Sequence, residues 1–189
     1  MKAPPENDDR FATTVRELID SLEDAFKKER DFAALILLYA EMDFISSLSR
    51  PVSQPDTNEG VFEDWVARYM LPDSNLKCKA VDIYAARCGV LHTLSVASKK
   101  SRSGIAKTLG YAYKRDEVNK LQSIADSKGQ GVVVVSMPDY REAFYKGICR
   151  FLEQMKIDAD LNARVAHHFT AVAAVAYLPS TSAPPEKGG

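Results

Sequence analysis

Residues 31–49 read DFAALILLYAEMDFISSLS, and this stretch decides the fold class. Phe32, Leu35, Ile36, Leu37, Leu38, Tyr39, Met42, Phe44, Ile45 and Leu48 leave little room for a polar face. A helix that is apolar nearly all round belongs at the centre of a bundle or in an interface. Asp31 suits its N-cap, and Pro51 forbids much continuation.

Before it, from residue 8 or 9 to 28, Phe11, Val15, Leu18, Ile19, Leu22 and Phe26 recur at steps of three and four. Charges fill the other side, so this reads as a one-sided surface helix. After it, Pro51, Pro55, Asp56, Asn58 and Gly60 mark a loop. A short helix follows at about 61–71, and a longer one at about 74–97 with Asp73 or Ser74 as its cap.

The pattern then changes. Residues 98–104 read as a polar, basic loop. Residues 108–113 and the valine run at 131–136 are strand-like, with a short helix between them at about 116–126. The direction in which the strands pair is not readable. Ser136 with Asp139 three residues on resembles a capping box, opening a helix at about 138–155. The last helix spans about 158–178, and so short a link makes the two an antiparallel hairpin. The expectation is a mainly α fold: a bundle of about six helices with a small two-stranded β element. It forms one domain over 9–178, between disordered ends at 1–8 and 179–189.

The 46% hydrophobic content of this 189-residue chain suffices for one core of ordinary size. A net charge of −1 argues neither for nor against a polyanionic partner, so any electrostatic argument must be local. Cys78, Cys88 and Cys149 are odd in number and widely spaced, which fits free thiols in a reducing cytoplasm better than disulfides or zinc. The acidic, proline-containing start does not read as a secretory signal, and no apolar run is long enough to span a bilayer. Neither metal nor organic cofactor is expected, since no GxSxG, HExxH or P-loop is present.

Two polar residues stand out within residues 74–97. Arg87 and His92 interrupt an apolar stretch, flanked by Tyr84 and Thr93. A charge there needs a partner. Asp43, within the apolar helix at 31–49, is the natural one, and Asp82 is another. His92 alone would suit a core histidine bonded to a carbonyl. Together, Arg and His can carry RNA transesterification, the imidazole moving protons and the guanidinium stabilising charge on phosphate. Five residues of helix turn through about 140°, so the two side chains are expected to diverge. They would meet more readily where two copies pack about a two-fold axis.

A helical chain with Arg, four residues, then His on a core helix resembles the HEPN superfamily. The resemblance rests on Arg87 and His92 and covers the helical pattern from about residue 10 to 97. It implies a usually dimeric helical bundle acting as a metal-independent ribonuclease, or an inactive relative serving as a binding module. An antitoxin-like protein partner is implied as well. Cys88 stands where that superfamily often has Asn or another polar residue. The alternative reading is a non-catalytic helical dimer serving as an interaction or structural module.

Lys99, Lys100, Arg102, Lys107, Lys114 and Arg115 form a basic run without an acid, interleaved with Tyr111 and Tyr113. Cations with aromatic platforms suit single-stranded RNA. The same lysines also suit a solvated loop and a strand edge kept from aggregating. His167 and His168 are adjacent, so on a helix they point about 100° apart and form no two-ligand metal face.

Overall fold

The computed structural model describes residues 6–95 and 98–176, with side chains for 10–92, 94–95 and 98–172. The chain folds as α1 (Glu6–Lys27), α2 (Asp31–Leu48) and α3 (Glu59–Trp65), which runs into a π-helical turn at Val66–Met70. Next come α4 (Ala80–Thr93), α5 (Lys99–Arg102), β1 (Thr108–Ala112), a 3-10 turn at Arg115–Glu117, α6 (Val118–Ser127) and β2 (Val132–Ser136). The chain closes with α7 (Met137–Ile157) and α8 (Ala159–Ala176). It is mainly α with a small β element, as the patterning predicts. Among the described residues no helix is long and apolar enough to cross a membrane.

The apolar stretch becomes α2, with Leu38, Tyr39, Met42 and Leu48 fully buried. It packs against α1, α3, α4, α7 and α8. Asp31 is its first helical residue rather than its cap. Arg30 takes that place because Glu29, at φ 52°, turns the chain sharply after α1. An aromatic cluster fills the space between the π turn and α7: Trp65 lies 6.2 Å from both Phe144 and Phe151, and Tyr69 lies 5.2 Å from Phe151. Three phenols tie α2, β1 and α7 together. The Tyr140 hydroxyl donates to Tyr39 at 3.1 Å, and Tyr39 meets Tyr111 at 2.5 Å. Tyr111 therefore turns inward and is no platform for RNA, contrary to the sequence reading.

Gly147 is what lets α7 approach the π turn. A Cβ there would stand 3.1 Å from the Met70 Cα and 3.2 Å from the Trp65 ring. Alanine raises helix propensity by about 1 kcal/mol, but crowding a packed core costs about 1–3 kcal/mol. Because the nearest atom is backbone and cannot swing away, Gly147→Ala should be net destabilising by about 1 kcal/mol. A thermal melt should show Tm lower by about 2–4 °C; an unchanged or higher Tm would refute the close-packing account.

β1 and β2 pair in parallel, Thr108 opposite Val132 through Ala112 opposite Ser136. Parallel neighbours need a crossover, and α6 supplies it. Gln122 of α6 completes the pair's outer edge: its amide donates to the Val132 carbonyl at 2.9 Å and accepts from the Val134 N–H at 2.8 Å. The cap at Ser136 forms as expected, accepting from the Asp139 N–H at 3.0 Å and donating to its carboxylate at 2.6 Å. Asp158 alone links α7 to α8, its carboxylate accepting from the Leu161 N–H at 2.9 Å.

Several boundaries move. α1 begins at Glu6, so the segment expected to be disordered contributes its last residues to the helix; residues 1–5 and the tail from 177 lie outside the described residues. α4 starts at Ala80, not Ser74, because Asp82 caps it by accepting from the Lys79 N–H at 2.9 Å. It ends at Thr93, where Leu94 adopts φ 49°. The basic loop at 98–104 contains one helical turn, α5, capped by Ser98.

Candidate functional site

Asp43 sits at the half-buried surface of α2, and α4 packs there with Arg87 facing it. Arg87 Nε donates to both Asp43 oxygens, at 2.8 and 2.7 Å, and Nη2 donates to Oδ2 as well. The side chains are only 17% and 23% exposed, so solvent screens the pair weakly. Burial alone would lower the guanidinium's affinity for its proton; the Asp43 carboxylate more than offsets this and leaves it raised. Asp82, the other proposed acid, is taken up by backbone, accepting from the Lys79 and Lys107 N–H groups.

The third nitrogen of Arg87 faces the other way. Nη1 lies 3.2 Å from His92 Nε2 and 3.8 Å from the Cys88 sulfur. Arginine has only donors, so the contact is a hydrogen bond in the tautomer that keeps its proton on Nδ1 and accepts at Nε2. His92 is exposed and not a sealed core residue. The expected divergence of the two groups is thus corrected: they converge within one chain. The long Arg87 side chain spans the angular gap. The end of α4 is also widened, with the Leu94 and Ser95 N–H groups both returning to the Gly89 carbonyl.

Tyr84 closes the other side. Its ring centroid lies 5.9 Å from the Arg87 guanidinium carbon, 5.0 Å from the Lys100 ammonium and 5.6 Å from the Phe62 ring. Burial, followed by the Cys88 thiol, pushes its hydroxyl up. Asp43, Thr57, Asn58, Phe62, Tyr84 and Arg87 line a cleft of about 70 Å³. The Thr93 side chain lies outside the described residues. Thr57 and Asn58 were missed in the sequence, where Asn58 reads only as a turn former and Thr57 carries no signal of its own.

The basic run does not form one surface. Lys100 is bound to Glu59 and Glu63 of α3 beside Tyr84. Arg115 pairs with Asp139 and Glu142 at the start of α7, beyond β1. Lys99, Arg102, Lys107 and Lys114 are exposed, and Lys114 lines a separate groove with Phe26, Tyr113 and Arg141. Of this run, Lys100 shares the Tyr84 ring with Arg87. His168 is a satisfied core histidine: its Nε2 donates to the Arg50 carbonyl at 3.2 Å, and burial lowers its pKa.

Fold and site together define a mainly α protein with an Asp–Arg–His chain across two packed helices. No family model, curated protein or solved structure matches the chain.

Proposed function

We propose that this chain is a HEPN-like, metal-independent ribonuclease or RNA-binding protein whose Arg87 and His92 work at a homodimer seam. The observation that carries this is the 3.2 Å contact between Arg87 Nη1 and an exposed His92 Nε2, with Asp43 holding the guanidinium from behind. An unprotonated Nε2 is the form that removes a proton from a ribose 2′-hydroxyl. The 2′-oxygen then attacks phosphorus, and the 5′-oxygen leaves with a proton, giving a 2′,3′-cyclic phosphate and a 5′-hydroxyl. Nη1 turns from the ring to the phosphate and meets its growing charge.

One chain presents one such imidazole. In-line displacement needs a base and an acid on opposite sides of phosphorus, so a second copy supplies the other His92. α2 offers a surface for that copy: Phe32, Ala33 and Ala40 are exposed, while Ile36, Leu37 and Phe44 are half-buried around Asp43. A two-fold axis along this stripe would bring both Arg87/His92 pairs to one seam. An antitoxin-like protein is the partner that the resemblance adds.

The test is cleavage of single-stranded RNA in EDTA, with product ends analysed and protein mass measured by sedimentation. Dimeric protein, cyclic-phosphate ends and activity that falls on dilution are expected. A monomer that neither cuts nor retains RNA would end the proposal. The second reading, a non-catalytic helical dimer, is favoured by the extent to which Asp43 occupies Arg87. It requires the same dimer without RNA binding.

A further inference from the structure

The geometry points to a nucleobase-reading subsite beside Arg87 and His92, in the cleft where Thr57 and Asn58 face Tyr84. It rests on the RNA reading above and adds a base preference to it. Arg87 belongs to both places. Its Nη1 meets His92, and Arg87 lines the cleft together with its partner Asp43. A phosphate at the first and the base of the same nucleotide at the second can therefore be held together.

The cleft has both components that base recognition needs. Tyr84 is a half-buried ring beside two cations, and aromatic faces stack bases of any identity. Discrimination needs directional groups. Asn58 Oδ1 accepts from the Val61 N–H at 3.0 Å to cap α3, which fixes the amide orientation and leaves Nδ2 as a donor. The Thr57 hydroxyl can donate or accept. Asp43 is turned to Arg87, which takes three of its acceptor positions. At about 70 Å³ the cleft is well below the several hundred Å³ of a typical ligand pocket, so it takes the edge of one ring. A donor-rich edge selects carbonyl acceptors. At pyrimidine C4 and purine C6, uracil and guanine present a carbonyl where cytosine and adenine present an amino group, so uracil and guanine are the favoured bases.

The experiment is an NMR titration of the full chain with the four nucleoside 3′-monophosphates and with ribose 5-phosphate as the base-free probe. The uridine and guanosine nucleotides should bind about tenfold tighter than ribose 5-phosphate, and tighter than the other two. Tyr84→Leu should remove the advantage over ribose 5-phosphate. Asn58→Asp keeps an oxygen cap for α3 but replaces the amide donor with an acceptor, so it should shift preference toward cytosine and adenine. Equal binding of all five probes, no binding of any, or an unchanged base order in Asn58→Asp would overturn the subsite. Arg87→Ala separates the two readings. If it weakens all five alike while no base order exists, the subsite alone fails. If it changes nothing while the base order persists, the phosphate role of Arg87 fails and the subsite stands.

Discussion

His92→Ala should lower RNA cleavage by about a thousandfold while leaving the fold and its melting temperature nearly unchanged. The magnitude follows from losing a positioned proton-transfer group, typically worth about 10²–10⁴ in rate. The indifference of the fold follows from exposure: His92 is exposed near the end of α4, and its ring meets Arg87 Nη1. Arg87→Ala should cost a similar factor in cleavage but also stability, because Asp43 would keep a weakly exposed charge without its guanidinium. Arg87→Lys should not rescue. An ammonium carries its donors on one nitrogen, which cannot sit against the Asp43 carboxylate and also occupy the place Nη1 holds beside His92. Asp43→Asn distinguishes holding from chemistry: it should weaken the fold and lower cleavage less than His92→Ala does. Cleavage in EDTA that survives both His92→Ala and Arg87→Ala would remove the proposed site.

The parts of this site that the sequence revealed were those set by the cost of burying charge. Asp43 and Arg87 each interrupt an apolar helix, and the Asp43–Arg87 pair was foreseeable because neither is tolerated there alone. The central place of α2 was legible for a related reason: residues so uniformly apolar have no stable position except under other helices. What escaped depended on reach and on long-range packing. Ideal helix geometry separates Arg87 from His92 by a wide angle, and periodicity says nothing of how a four-bond side chain lies along the surface. Lys100 reads as part of a basic run until α3 brings Glu59 and Glu63 against it. Tyr111 alternates with lysines in the sequence, yet its hydroxyl joins Tyr39 and Tyr140 in the interior. The parallel pairing of β1 and β2 follows from α6 crossing between them, which the sequence placed correctly without fixing its path.

The second large effect concerns a carboxyl that the proposed site does not use. Glu41, on α2, is 1% exposed, and neither of its oxygens has a hydrogen-bond partner among the described residues. Burial pushes its pKa from 4.5 up to about 8. The folded chain therefore keeps a proton on Glu41 that the unfolded chain releases above the ordinary carboxylate range. For an acid shifted in this direction the sign is fixed: stability is fully present below pH 4.5 and is lost as pH rises toward about 8. Each pH unit inside that window costs about 1.4 kcal/mol, so several kcal/mol are at stake between pH 5 and pH 8. Glu41→Met keeps a side chain of similar length and removes the ionisable group, and should flatten the pH dependence over this window. At pH 8 the variant should be about 3 kcal/mol more stable than the natural chain, because folding no longer has to hold a proton that the unfolded carboxyl releases. Urea unfolding at pH 5, 6.5 and 8 reads the difference directly. Curves for the two proteins that run parallel across those pH values would mean that Glu41 finds a partner or water in solution. A gap that widens with pH would assign the loss of stability across this window to this one carboxyl.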